Sequence, residues 1–392
     1  MSASQHPGRE AVIVEAVRTP IGRRNGKLSP VRPDDLLALT LREVVKRAGV
    51  DPAKVDDVIV GCVTQTGEQG LNIGRASVLI AGFPIEVPGT TINRFCGSGQ
   101  QAVNFAAQGV MSGAQDVVIG AGVENMSRVP MGSDAFGPGE GPVSPKLTDL
   151  FEIIPQGNSA EMIAKKWGFS REQLDEFAYQ SHVKAGQAIQ EGRFTREIFP
   201  IDVKQNGTSY RFDTDEGVRI PPSREKMAQL KPSFQEDGVV TAGNSSQISD
   251  GAAAVLIMTA EKAKELGLKP RARIVAQAIV GSEPTIMLTG PIPATAKVLK
   301  KAGLQLKDID LFEVNEAFAP VVLAWQHETG ADMEKVNYNG GAIALGHPLG
   351  ASGARLITTL LHELERQDAR YGLSTMCIGY GMGIATVIER VP

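Results

Sequence analysis

One strand–helix unit occurs twice in this chain, and that repetition limits what it can fold into more than any other feature. Ala11-Val-Ile-Val14 is a short β-branched run that reads as a buried strand, and Ala272-Arg-Ile-Val275 echoes it. A helix is predicted from Asp34 to Ala48, with Leu36, Leu37, Leu41, Val44 and Val45 at helical spacing and Gly49 as its stop. Its ending, Lys46-Arg-Ala-Gly49, returns as Lys-Lys-Ala-Gly at the end of a helix predicted from Ala294 to Gly303. Val55-Asp-Asp-Val-Ile-Val60 is matched by Lys307-Asp-Ile-Asp-Leu-Phe312. The turn Cys96-Gly-Ser-Gly99 is matched by His347-Pro-Leu-Gly-Ala-Ser-Gly353, each ahead of another helix. Further strands are expected at Thr90–Ile92, at Val117–Ile119 and between Thr375 and Glu389. This order implies α/β layers with crossover connections. Two copies packed together would bring corresponding loops to a shared interface, where sites commonly form.

Between the copies the character changes. Pro130 to Pro145 holds four prolines and four glycines among few apolar residues, which marks a surface loop. Two helices follow, the first with Ser159 as a candidate cap and the second with Ser170 and Gln173 spaced as a capping box. Asn206-Gly207 lies between extended segments and reads as a hairpin turn. The expected organisation is a first half over residues 1–120 plus 249–270, an inserted loop domain over 121–248, and a second half over 271–392.

Several function classes are disfavoured at this point. The 40 basic and 44 acidic side chains leave a net charge of −4 with no basic tract, so a nucleic-acid role has no electrostatic footprint. The longest clear apolar run, Ala252 to Met258, is too short to span a bilayer. The opening MSASQHPGRE has neither the apolar centre of a secretory leader nor an Arg-rich amphipathic helix. Three widely spaced cysteines, Cys62, Cys96 and Cys377, make no disulfide framework and suggest a reducing, cytoplasmic setting.

The reactive side chains stand out by their neighbours. Cys96 sits at a predicted strand-to-helix junction, where free N–H groups favour thiolate and the flanking glycines let a carbonyl approach the backbone. His347 lies between a glycine and a proline in the repeat-equivalent turn and is the candidate base. His6, His182, His327 and His362 have no such setting and read as ordinary histidines. Cys377, ahead of the alternate glycines of Gly379-Tyr-Gly-Met-Gly383, can act as an acid or base at a strand end. Cys62 has no such turn and is assigned to the core. Asn315 follows a predicted buried strand, as an orienting amide or as the cap of the next helix.

Taken together, Cys96-Gly-Ser-Gly99, Asn315-Glu-Ala-Phe318, Gly341-Ala-Ile-Ala-Leu-Gly-His347-Pro348 and Cys377-Ile-Gly-Tyr-Gly381 resemble the four active-site motifs of the thiolase family. The resemblance keeps their order and runs from residue 11 to residue 390. It implies a duplicated thiolase-like α/β fold, two similar halves packed in layers with an inserted loop domain. It also implies the interconversion of two acyl-CoA molecules with a 3-ketoacyl-CoA and free coenzyme A. In that chemistry Cys96 would carry the acyl group. His347 would hold its sulfur as thiolate and help bind the thioester oxygen, and Cys377 would move the carbon-bound proton. His347 with a water on Asn315 would form one set of oxyanion donors, and the N–H groups of Cys96 and Gly379 the other. Coenzyme A would lie mostly on the loop domain, with Arg219 near its phosphates and Phe234, Ala242, Ser246 and Phe318 along the pantetheine.

The expected acyl-pocket residues are Gln156, Met287 and Tyr380. Two of them depart from the family pattern: Tyr380 stands where many members have glycine, and Gln156 where short-chain members commonly have methionine. The resemblance implies no metal and no permanently bound cofactor, with acetyl-CoA, acyl-CoA and 3-ketoacyl-CoA as substrates and a homodimer or homotetramer as the assembly. The sister ketoacyl synthases pair their nucleophile with two histidines, whereas here Cys377 takes the second position. A non-catalytic thiolase-like lipid carrier would have lost one or more of Cys96, His347 and Cys377, and a cysteine hydrolase explains neither the second thiol nor the doubling. The expected activity is that of an acetyl-CoA C-acetyltransferase using acetoacetyl-CoA. The alternative is a broader 3-ketoacyl-CoA thiolase of fatty-acid β-oxidation.

Overall fold

The computed structural model describes residues 9–139 and 141–392; His6 and the rest of the first eight residues lie outside them. The first half contributes β1 (Ala11–Arg18), β2 (Gly22–Arg23), α1 (Pro33–Ala48), β3 (Asp57–Gly61), α2 (Ile73–Ile80), β4 (Thr90–Ile92), α3 (Ser98–Ser112) and β5 (Val117–Asn125). Then come α4 (Pro145–Thr148), α5 (Gln156–Trp167), α6 (Arg171–Gln190), β6 (Ile201–Gln205), β7 (Thr208–Phe212) and α7 (Arg224–Ala228). The chain returns to the first half with β8 (Ser249–Thr259) and α8 (Ala260–Glu265). The second half holds β9 (Ala272–Gly281), α9 (Pro291–Ala302), β10 (Leu311–Val314), α10 (Ala319–Thr329), α11 (Ala342–Leu345), α12 (Leu349–Arg366), β11 (Tyr371–Ile378) and β12 (Met382–Arg390).

The sheet carries the duplication into three dimensions. Its strand order is β10-β11-β12-β9-β1-β8-β5-β3-β4, with β2 added beside β8. Read outwards from the centre, β1-β8-β5-β3 mirrors β9-β12-β11-β10, and the pairings match as well. β3 and β5 are parallel, as are β10 and β11, the other pairs of these two four-strand sets are antiparallel, and the edge strand β4 adds parallel to β3. The halves join through a short antiparallel ladder, Val12↔Arg273 and Ile13↔Ala272. The matched helices α1 and α9 both begin with proline and both end on a left-handed glycine, Gly49 at φ +68° and Gly303 at φ +69°. Each has basic residues in its last turn, where they oppose the helix dipole.

Alternation along the strands builds the layers. Val12, Val14 and Val17 of β1 join a core under α1, while Ala11, Ile13 and Ala16 face the central helices α3 and α12. A third core under α9 and α10 gathers Val298, Phe312, Val322, Trp325 and Val387. The two central helices start against one another: a Cβ on Gly99 would fall 2.6 Å from the Gly350 carbonyl oxygen, so the crossing needs glycine.

Some local expectations change. Helix α2 was not foreseen; Asn72 caps it from a left-handed conformation, φ +58°, and accepts from Arg75 N. Ser159 is not a cap but lies inside α5, where its hydroxyl donates to Thr285 O at 2.6 Å. Strand β5 continues to Asn125, so the boundary placed after residue 120 falls within a sheet strand. The capping box at Ser170 and Gln173 and the Asn206-Gly207 hairpin are both present. Among the described residues no helix is long and apolar enough to cross a membrane.

Candidate active site

The turn carrying Cys96 is held by its own polar side chains. Ser98 Oγ accepts from Arg94 N at 2.8 Å and donates to Phe95 O at 2.7 Å, and Asn93 Oδ1 accepts from Phe95 N at 2.8 Å. These bonds hold Phe95 at φ +44°, a conformation rare outside glycine, and bring Cys96 to the start of α3. The end of β11 closes on this turn. Ile378 Cδ1 lies 2.5 Å from where a Cβ on Gly97 would be, so Gly97 admits the strand that carries Cys377.

His347 arrives from the equivalent turn of the second half. It is buried, and its main-chain N–H is pinned between Gln247 O at 3.1 Å and Ser249 Oγ at 3.2 Å. Its Nδ1 lies 2.6 Å from Ser352 Oγ and its Nε2 3.4 Å from Asn315 Nδ2. Asn315 ends β10, and its N–H donates to Thr375 O of β11 at 3.0 Å. It is not a helix cap, since α10 begins only at Ala319. Its Oδ1 is buried and has no hydrogen-bond partner among the described residues.

Around Cys377 the pocket-wall candidates divide. Cys377 and Met287 lie in one buried apolar cluster with Leu288, Ala317 and Ile343. At Gly379 a Cβ would stand 3.3 Å from Gln156 Nε2 and 3.5 Å from Phe95 Cγ, so Gln156, Phe95 and the Gly379 backbone meet. Tyr380 sits at φ +60°, which explains why glycine suits this position. Its ring is 39% exposed and packs edge-on against Phe95 at 5.3 Å, so it borders the site without closing it.

The coenzyme A candidates come from several segments. Phe234 and Phe318 meet edge to face at 5.9 Å. Ser245 bridges to Phe318, and Ser246 N donates to Ala317 O at 2.9 Å, which ties the Ala242–Ser246 segment to the residues after Asn315. Ala242 is exposed and Ser246 half-buried. Arg219 is exposed, and its N–H donates to Nδ1 of the buried His182 at 3.2 Å, so that histidine orients the candidate phosphate arginine. A separate cavity of about 650 Å³, lined by Phe177, Lys184, Glu316, Leu323, His327 and Asn337 among others, includes none of Cys96, His347 and Cys377.

Burial works against the thiolate expected at Cys96. A helix start favours thiolate, but burial outweighs it: the Cys96 thiol is pushed up from 9.0 to about 12. Burial, with Cys96 as a smaller contribution, also raises the Cys377 thiol. Burial and then the charge of Arg355 lower His347 from 6.5 to about 3. Burial thus disfavours the charged form of each of these three groups.

Three polar residues near the site were not singled out from the sequence. Glu124, fully buried at the end of β5, accepts from Val63 N, Thr64 N, Gln69 Nε2 and Gly350 N at 2.7 to 3.1 Å, and so ties the first half to the start of α12. Glu316 accepts from Ser181 Oγ, Asn337 Nδ2 and Ile343 N, and so fixes the glycine-rich approach to His347. Ser352 touches His347 itself. For Ser352 and Glu316 a signal was present, since both stand inside the quoted motifs. Cys62 is buried as expected, 4.0 Å from Glu124 Oε1.

Comparison with known proteins places these features in context. Family models described as the N-terminal and C-terminal domains of thiolase match residues 11–261 and 268–390. A steroid 3-ketoacyl-CoA thiolase of Mycobacterium tuberculosis is 50% identical over 391 residues, spanning 97% of this chain and 94% of its own. A 3-ketoacyl-CoA thiolase of Bacillus subtilis is 47% identical, spanning 97% and 99%. The solved structure of the Bacillus anthracis acetyl-CoA acetyltransferase matches with a TM-score of 0.91 at 42% identity, over 98% of this chain and 99% of that one.

Proposed function

The chain belongs to the thiolase family and is an acyltransferase, and from that premise we propose how its own residues divide the reaction. The observation that supports the reading is a chain of contacts: the Cys96 turn packs against the end of β11, which carries Cys377 and runs on to Gly379, Asn315 is hydrogen-bonded to Thr375 of that strand, and His347 Nε2 lies 3.4 Å from the Asn315 amide. In thiolysis the Cys96 sulfur attacks the keto carbon of a 3-ketoacyl-CoA as its proton passes to His347. The carbon–carbon bond then breaks, leaving the acyl group on sulfur, and Cys377 protonates the departing acetyl-CoA carbanion. Coenzyme A next attacks the acyl-enzyme, giving its thiol proton to the Cys377 thiolate, and His347 returns its proton to Cys96. Condensation is the same sequence reversed.

Burial that disfavours charge on these groups suits concerted steps: the proton leaves Cys96 as charge moves onto the carbonyl oxygen. The N–H groups of Cys96 and Gly379 would receive the oxygen of the attacked carbon. His347 and a water on the unpartnered Oδ1 of Asn315 would receive the enolate oxygen. Arg219 would meet coenzyme A phosphates, with Phe234, Ala242, Ser246 and Phe318 along the pantetheine arm.

For substrate range, the geometry favours a short acyl group. Gln156 brings a polar amide beside Gly379 and the Cys96 sulfur, where a long alkyl chain would have to displace or bury it. A broader range is the second reading, favoured by the names of the relatives at 47–50% identity. Thiolysis rates over 3-ketoacyl-CoA substrates of increasing length, with Cys96→Ala as control, separate the two. Activity confined to acetoacetyl-CoA supports the first, undiminished rates on long chains support the second, and wild-type turnover by Cys96→Ala would overturn the mechanism. A dimer or tetramer is supported by exposed Leu71, Leu79, Ile80 and Ile85 on and around α2, near the edge strand β4. Three unpaired cysteines fit a cytoplasmic setting.

A further inference from the structure

The hydrogen-bond partners of His347 favour one arrangement of protons. Ser352 Oγ lies 2.8 Å from the Pro348 carbonyl oxygen and 2.6 Å from His347 Nδ1. A carbonyl only accepts, and a serine hydroxyl has a single proton to give. Here it is directed to Pro348 O, four residues back along the first turn of α12, a bond that helical serines commonly make, beside the N–H groups of Ala351 and Ser352. The contact to Nδ1 is then a hydrogen bond only if Nδ1 carries hydrogen and donates it. A neutral imidazole has one N–H, so Nε2 is left as a bare acceptor. With Nε2 bare, the Asn315 Nδ2 group 3.4 Å away faces it as a long-range donor. Ser352 and His347 are 1% and 4% exposed, so bulk water does not compete for these bonds.

We infer that Ser352 is the positioning residue that holds His347 in its Nδ1–H tautomer and so reserves Nε2 for the proton of Cys96. This rests on the assignment of His347 as the base. In the other tautomer Nε2 would already carry hydrogen and could accept nothing from the thiol. The serine hydroxyl would then have to abandon Pro348 O to serve Nδ1. The same arrangement explains how one nitrogen fills two roles: Nε2 takes the proton as sulfur attacks, and the resulting N–H then faces the developing oxyanion.

The test combines a direct view of the tautomer with kinetics of Ser352→Ala and Ser352→Thr. In the intact protein carrying ¹⁵N-labelled histidine, with the His347 signals assigned by their loss in His347→Gln, the expected result is hydrogen on Nδ1 and a bare Nε2. Ser352→Ala should show a mixture of tautomers and a kcat for thiolysis ~10–100-fold lower, the range for removing a partner that orients a functional histidine. Its KM should stay within about twofold, because the serine orients a catalytic group and binds no substrate. Ser352→Thr keeps the hydroxyl and should recover most of the rate. Hydrogen on Nε2 in the parent protein would overturn the inference, and it requires no variant to fold. So would an alanine variant with unchanged tautomer and rate, or a folded threonine variant as slow as alanine. Failure of the thiolase mechanism shows separately, as turnover by Cys96→Ala.

Discussion

Replacing Glu124 with glutamine should weaken the fold while making the nucleophile more acidic. Each carboxylate oxygen accepts two N–H groups: Oε1 those of Thr64 and Gln69, Oε2 those of Val63 and Gly350. An amide offers one accepting oxygen. Whichever way it turns, its NH2 faces two buried donors that lose their partner. At about 1–3 kcal/mol for each buried donor left unmade, the cost is about 2–6 kcal/mol. Removing a carboxylate whose ionised form is disfavoured by burial offsets part of this. Urea unfolding should show the loss as a lower midpoint with unchanged slope. Glu124 is also among the charges that raise the Cys96 thiol. The pH profile of Cys96 alkylation, followed by mass spectrometry of its peptide, should therefore shift to lower pH in Glu124→Gln. An unchanged midpoint would refute the count of donors, and an unshifted alkylation profile would refute the electrostatic half.

Cys377→Ala should still accept an acyl group on Cys96, visible as the mass of a trapped acyl-enzyme, while carbon–carbon bond formation falls by at least ~100-fold, as for a lost acid/base; equal loss of both steps would contradict the assigned roles. His347 and His182 are held neutral by burial, with Arg355 and Arg219 adding, down to about 3 and about 4. Both folded values are depressed, so stability is lost as pH falls below the unfolded value near 6.5. By pH 5 the two should cost about 4 kcal/mol together, and urea melts of His182→Gln at pH 7 and pH 5 should show about half of that loss removed. Gly99→Ala should destabilise the fold by about 1–3 kcal/mol or more, because its Cβ would fall 2.6 Å from the Gly350 carbonyl oxygen; a thermal midpoint equal to the parent's would show that the central crossing is looser than drawn.

What could be read from the chain was what depends on local pattern or on repetition. The matched Lys-Arg-Ala-Gly49 and Lys-Lys-Ala-Gly303 endings announce two equivalent helices because a left-handed glycine stop is a property of a few adjacent residues. The mirrored order of β1-β8-β5-β3 and β9-β12-β11-β10 then follows from folding one unit twice. Helix α2 escaped because its cap, Asn72, takes a left-handed conformation that no cap pattern anticipates. The effect of burial on the Cys96 thiol escaped for a different reason. A helix start is a local feature, whereas the burial that overrides it comes from both halves closing over the sulfur. Glu124 was illegible likewise, since its donors come from residues 63, 64 and 69 on one side and 350 on the other.

The doubling bears on precision as well as on ancestry. Equivalent turns of the two copies supply unlike groups, a nucleophilic thiol at Cys96 and an imidazole at His347, and neither copy alone contains the pair. Their relative position is set where α3 and α12 start against each other, at a contact between Gly99 and Gly350 too close for any other side chain. Glu124 spans the same junction, holding the 63–64 loop of the first half and the N–H of Gly350 in the second. Ser352, one turn into α12, then fixes the ring of His347. The proposed reacting groups thus hang on close backbone packing, which suits a reaction whose acid and base must meet the same carbon skeleton in both directions. On the proposed reading, freedom to change substrate lies elsewhere, at Gln156 on α5 and at Phe234, which packs against Gly157 on the same helix. Exchange of Gln156 for methionine should therefore alter the ranking of acyl chains and, because its amide is among the groups that lower the Cys96 thiol, move the pH dependence of Cys96 reactivity to somewhat higher pH. A changed pH profile with an unchanged chain ranking would mean that Gln156 serves the sulfur and not the pocket.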